Sequence, residues 1–189
     1  MDGHPYSPER LADRAEIRDV MYRWCRAIDR LDYDAMRSVF HPDARDNHGP
    51  GHFEGDVDRL IAWIRGRHGS IPFCLHSLSN MLIEFAGPDT AVVESNVMSV
   101  QHYPEAGDPV VKMAGGSEKP HGRMDMIAFA RYADRFERRN GEWRIQDRTV
   151  IMDSQMLVDA GSGQLASGIV LGRRNKEDYI YTLREVAGL

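Results

Sequence analysis

The apolar positions of this chain change period part-way along it. From residue 17 to 28 they recur at Ile17, Val20, Met21, Trp24, Cys25 and Ile28, the three-to-four-residue spacing of a helix with one buried stripe. Ser7 and Pro8 just upstream supply an N-cap and a first-turn proline, which together mark a helix start. Asp32 can cap a second, short helix through Met36 to Phe40, and Pro42 lies just beyond its end. Residues 43–55 are rich in Asp, His, Gly and Asn, which predicts a short strand and a loop around Gly49-Pro50-Gly51. Asp56 then caps a third helix, with Val57, Leu60, Ile61 and Ile64 on one face.

From Ile71 onward the pattern is extended. Residues 73–85, 90–103, 123–138 and 142–153 are apolar or alternating runs, as strands are. Turn chemistry separates them: Gly87-Pro88-Asp89, a loop at 104–122, and Asn140-Gly141. Asn-Gly between two such runs is a strong hairpin signal. Helices first and an antiparallel sheet afterwards imply an α+β fold, with the helices packed on one face of a curved sheet. The 104–122 loop carries Pro104, Gly107, Pro109, Gly115, Gly116 and Pro120, and loops of that length are often functional. We divide the chain into a domain at 1–160 and a C-terminal extension at 161–189, irregular except for one short helix near 179–186.

Composition narrows the class. Of 189 residues, 42% are hydrophobic and 28% charged, with a net charge of −5, which describes a globular chain rather than a disordered one. No basic stripe points to nucleic acid or an anionic membrane. No apolar stretch is long enough to span a bilayer, and the polar N-terminal residues lack the apolar core of a signal peptide. Cys25 and Cys74 both sit among apolar residues and read as buried thiols of a cytoplasmic protein. With no CxxC, no P-loop and no GxGxxG after a strand, no cofactor is expected.

Candidate chemistry centres on Asp29 and His76. Asp29 ends the first helix, where the dipole prefers a cation, and a residue set against a local rule is a candidate for function. Tyr22, seven residues earlier, shares its face, because a helix drifts only about 20° over a heptad. His76 opens an apolar run and shares a strand face with Leu78, Asn80 and Leu82, a titratable group and an amide between apolar walls. Trp24 lies on the apolar stripe beside Asp29. Arg148 shares a face with Arg144, Gln146, Val150 and Met152 and could hold an anion or steady developing negative charge. Arg131 is a similar candidate, with Tyr132 on the opposite face. His41, His48, His52 and Asp46 crowd one region but show no metal-ligand spacing, so no metal is expected. His68, His102 and His121 read as exposed loop or strand-end residues.

These motifs together resemble a known family. The stretches Arg14 to Asp32, His41-Pro42-Asp43-Ala44, His76-Ser77-Leu78-Ser79-Asn80 and Arg131 to Trp143 are similar to SnoaL-like domains of the nuclear-transport-factor-2-like, or scytalone-dehydratase-like, superfamily. The resemblance covers about residues 10 to 155. It implies a cone-shaped α+β barrel, a curved sheet wrapped round a pocket that the N-terminal helices close. It also implies an Asp–His dyad with an assisting Arg, which fall on Asp29, His76 and Arg148, and an assisting Tyr, which falls on Tyr22. Asn80, Trp24, Leu78 and Arg131 would then contact substrate. The family is commonly homotrimeric or homodimeric, so a homo-oligomer is expected, with the tail available for a subunit contact.

The expected function is a cofactor-independent lyase or isomerase, dehydratase- or dehydrohalogenase-like, acting on a hydrophobic and cyclic small molecule. Two other functions share the fold. One is a non-catalytic ligand-binding or structural subunit, like the small subunits of aromatic-ring dioxygenases, which needs no acid–base pair in its cone. The other is a polyketide cyclase.

Overall fold

The computed structural model describes residues 4–104, 123–160 and 165–189. Helix α1 spans Pro8–Arg30; Ser7 caps it, its side chain accepting from the Arg10 N–H. Its buried stripe is Ile17, Val20, Met21, Trp24, Cys25 and Ile28, the set the spacing predicts. α1 closes on Leu31 in the left-handed conformation, which satisfies carbonyls of its last turn. Asp32 caps α2 (Tyr33–Ser38) and Asp56 caps α3 (Val57–His68). The second helix stops short of Phe40, which begins β1 (Phe40–Asn47).

The remaining strands are β2 (Glu54–Asp56), β3 (Phe73–Phe85), β4 (Thr90–Tyr103), β5 (Met124–Arg139) and β6 (Glu142–Asp159). They form one sheet in the order β2-β1-β6-β5-β4-β3. Every pairing is antiparallel except β1 with β6. The β5–β6 turn is Asn140-Gly141, with both residues at positive φ, the type I′ geometry that matches strand twist. Register shifts interrupt β3 between Ser79 and Leu82, and the β5–β6 ladder at Phe129/Ala130 and Arg135/Phe136. Such bulges bend and coil a sheet, and here the sheet wraps the helices as a cone. Core residues from α1, α2, α3 and the inner sheet face form one continuous cluster.

The bulges correct two faces read from simple alternation. Asn80 sits in the β3 bulge at φ 46° and is exposed, so it leaves the face that His76 and Leu78 share. Leu82 is exposed and Ile83 buried in its place. On β6, Trp143 and Ile145 point inward before the bulge, and Arg148 is buried after it. Arg144 therefore does not share the inner face with Arg148; it pairs with Glu142 instead.

The tail carries helix α4 (Tyr179–Val186) and folds back on the domain. Arg174 donates to the carbonyls of Ile28, Asp29, His68 and Ile71, and so clamps the C-terminal ends of α1 and α3 together. Lys176 and Tyr181 both reach Asp32. The sequence readings at 105–122, including His121, and at 161–163 lie outside the described residues.

Candidate active site

Asp29 is carried inward by the last turn of α1, and β3 crosses it there. Both of its oxygens are taken by one residue. His76 Nδ1 lies 2.7 Å from Oδ1, and the His76 backbone N–H donates to Oδ2 at 3.0 Å. Ring and backbone are thus held by a single carboxylate, which leaves Nε2 as the ring atom open to a ligand. Both side chains are buried, at 7% exposure for His76 and 5% for Asp29. Burial works against a charged imidazole, but the Asp29 contact, with Cys74 Sγ at 3.7 Å adding to it, pushes the His76 pKa up to about 9. Among the described residues, Asp29, Cys74 and His76 also bring donor atoms within 4.8 Å of one another. A cation held there would have to replace the proton that Asp29 and His76 share.

His76 lines an inner cavity of about 70 Å³. Its walls include Trp24 and Ile28 from α1, Trp63, Ile64 and His68 from α3, and Val97, Ser99, Ala130, Tyr132 and Arg148 from the sheet. His48, Trp63, Arg67, Val150 and Met152 also line an outer cleft of about 320 Å³, so cleft and cavity share a wall.

Arg148 crosses the cavity floor, wholly buried, with Nε and Nη2 each 2.7 Å from the Asp134 carboxylate. Its guanidinium lies over the rings of Tyr132, Trp24 and Phe40, 4.1, 5.0 and 5.7 Å from their centroids. Burial opposes its charge, but Asp134 more than offsets this and raises its pKa. Nη1 is buried with no hydrogen-bond partner. Nearby, His48 Nε2 is 2.9 Å from the fully buried Asp46, yet too misdirected for a hydrogen bond.

Asp29, His76, Trp24 and Arg148 are therefore brought together, and Leu78 packs on the core beside them. Tyr22 is not: it is 55% exposed and does not line the cavity. It lies on the flank of the buried stripe of α1. Arg131 stands on the outer sheet face, bound to Asp153 and Glu94. Asn80 is displaced by its bulge. In the region of His41, His48, His52 and Asp46, the buried His41 makes its Nε2 hydrogen bond to the Glu137 carbonyl.

A family model described as the SnoaL-like domain matches residues 9–149. The chain belongs to the SnoaL-like family. It is 30% identical over 109 residues to the uncharacterized protein Rv2910c of Mycobacterium tuberculosis, a match covering 57% of this chain and 72% of that protein. Among solved structures, this SnoaL-like chain is similar to a type 2 hexachlorocyclohexane dehydrochlorinase, LinA, with TM-score 0.66 and 19% identity over 85% of this chain and 97% of that one. The type 3 dehydrochlorinase of Novosphingobium barchaimii LL02 gives TM-score 0.62 at 20% identity, covering 83% and 97%. A candidate scytalone dehydratase of Novosphingobium aromaticivorans gives 0.63 at 19%, covering 82% and 97%. At these identities the likeness establishes the fold alone.

The sequence reading missed Trp63, Tyr132, His48 and His68 as cavity residues. His68 is the clearest case. It continues the stripe Val57, Leu60, Ile61 and Ile64 by a further helical step, and it is buried at 2% exposure rather than exposed. The helical period already carried that signal. His102, in contrast, is a strand-end residue paired with Asp125.

Proposed function

We propose that this SnoaL-like protein is a cofactor-independent lyase or isomerase whose base is His76. The observation that carries this reading is the buried Asp29–His76 pair beside a cavity walled mainly by apolar groups. His76 Nε2 takes a proton from a substrate carbon, and Asp29 fixes the ring's orientation and steadies the imidazolium that forms. In an elimination, the C–H electron pair becomes the new double bond and the leaving group departs with its own pair. In an isomerisation, the proton returns at another carbon. Arg148 offers Nη1 to the negative charge that develops. The apolar walls favour a hydrophobic, ring-bearing substrate, whose remainder the outer cleft can receive. The dehydrochlorinases and the candidate dehydratase that share the fold are named for eliminations, which supports the same reaction class. A structural subunit would have no use for ionisable groups around a cavity in its cone.

The test is a screen of cyclic β-halo and β-hydroxy compounds, followed by variants on whichever is converted. His76→Ala and Asp29→Asn should each lower turnover by about 10²–10⁴-fold with the fold intact by circular dichroism. Wild-type turnover should rise with pH toward about 9, because only the neutral imidazole accepts the proton. Full turnover by His76→Ala would end this reading.

A further inference from the structure

His68 stands in the same cavity with no role in that reaction. It closes α3 at the end of an otherwise aliphatic stripe. It is 2% exposed, its Nδ1 has no hydrogen-bond partner, and it lines the cavity. A buried polar atom left unpaired opposes folding, so leucine here would favour the fold. Burial also drives the ring's pKa well below its ordinary value, and the cations of Arg67, His76 and Arg174 act in the same direction, as does His48. The ring is therefore neutral, and a neutral imidazole is a hydrogen-bonding group rather than a charge. Its position is fixed: the His68 carbonyl accepts from both the Ile71 N–H and Arg174. Ser99 and Gln101 of β4 also line this cavity, and Gln101 Oε1 is already engaged by the Tyr103 hydroxyl.

We propose that His68 is a ligand-contacting residue whose unpaired Nδ1 hydrogen-bonds an oxygen substituent, hydroxyl or carbonyl, of the molecule held in this cavity. His76 and His68 then divide the work. His76 faces the carbon that loses its proton, and His68 selects for an oxygenated ring over a purely hydrocarbon or halogenated one. An imidazole suits this task because one ring nitrogen donates and the other accepts, so it meets either partner without carrying charge into an apolar space. This inference rests on the cavity being the ligand site.

The experiment uses two small probes, cyclopentanol and cyclopentene, with the full chain. Binding is followed by NMR, together with the ¹⁵N shifts of the histidine rings. The alcohol can donate or accept, so either tautomer of His68 meets it. Cyclopentanol should move the His68 Nδ1 resonance and cyclopentene should not. His68→Leu should weaken cyclopentanol binding about fivefold, one net hydrogen bond, and leave cyclopentene binding unchanged or tighter. His68→Gln should recover most of the loss. His68→Leu should also raise the melting temperature, whereas a purely structural histidine would lower it when replaced. Equal loss for both probes, no loss for either, or no binding of the alcohol by the wild type would overturn the proposal. His76→Ala separates it from the reaction proposed above. If alcohol selectivity follows His68 while turnover never depends on His76, the His68 contact stands and the dyad mechanism falls. If turnover needs His76 but selectivity ignores His68, the reverse holds.

Discussion

His76 and His68 share one cavity and are driven in opposite directions, and this opposition should show in the pH dependence of stability. His76 has its folded pKa raised to about 9. The stability it contributes is complete below the unfolded value of about 6.5 and is lost as pH rises toward 9. His68 has its folded pKa depressed, so its contribution is present above about 6.5 and is lost as pH falls below that. Stability should therefore peak near neutral pH, between the two limbs. Asp29→Asn should flatten the alkaline limb and His68→Leu the acid limb, as read by urea midpoints across pH 5 to 10. Two unchanged limbs in these variants would show that neither histidine is perturbed as described. Arg148 and Asp134 make a second test at this scale. They are fully buried partners, so Arg148→Met strands a carboxylate in the core and should cost about 3–5 kcal/mol. Removing both, with Asp134→Leu added, should restore most of that. A single variant as stable as the double would contradict the buried pair.

The elements show why these groups meet. The last turn of α1 presents Asp29 against its own helix dipole, and two cationic partners answer that placement. His76 takes the carboxylate, and Arg174 of the tail takes the Ile28 and Asp29 carbonyls, where a cation is favoured. Arg174→Gln should lower the melting temperature by several degrees, and should weaken protection of the α1 and α3 C-terminal amides in hydrogen exchange. Unchanged protection would mean the tail lies on the domain without holding it. Much of this was legible beforehand. The α1 stripe, the Asp32 and Asp56 caps and the Asn140-Gly141 turn follow from local pattern, and the resemblance brought Asp29, His76 and Arg148 together. What pattern missed was non-local. The bulges at Ser79–Leu82 and near Gln146 shift the phase of alternation, which moved Asn80 out of the cavity and Arg144 off the inner face. Nothing in residues 172–178 announces that Arg174 reaches back to the ends of α1 and α3. His68 was legible in principle, since it obeys the α3 period, but a histidine at a helix end invites a surface assignment.

At the scale of the whole molecule, the cone has an apolar inside and an incompletely covered outside. Phe73, Leu75, Val92, Met98, Phe129, Met156 and Val158 of the outer sheet face are all substantially exposed, and Met98 and Phe129 face each other across β4 and β5. Contiguous exposed apolar surface of this kind marks an interaction face. It supports the expected homo-oligomer, for which the strand face is better placed than the tail, since the tail is engaged with its own domain. Sedimentation equilibrium should give a dimer or trimer of the 21.5 kDa chain, and Met98→Lys with Phe129→Glu should shift it toward monomer. A monomeric wild type would overturn this. No helix among the described residues is long and apolar enough to cross a membrane. The central claim concerns the inside of the cone, where a carboxylate at the end of α1 makes a proton-transfer group of a strand histidine. NMR titration of His76, in the wild type and in Asp29→Asn, tests it most directly. The account predicts a pKa of about 9 in the wild type and a fall of on the order of a unit or more when the charge is removed. An ordinary histidine pKa in both proteins would contradict it.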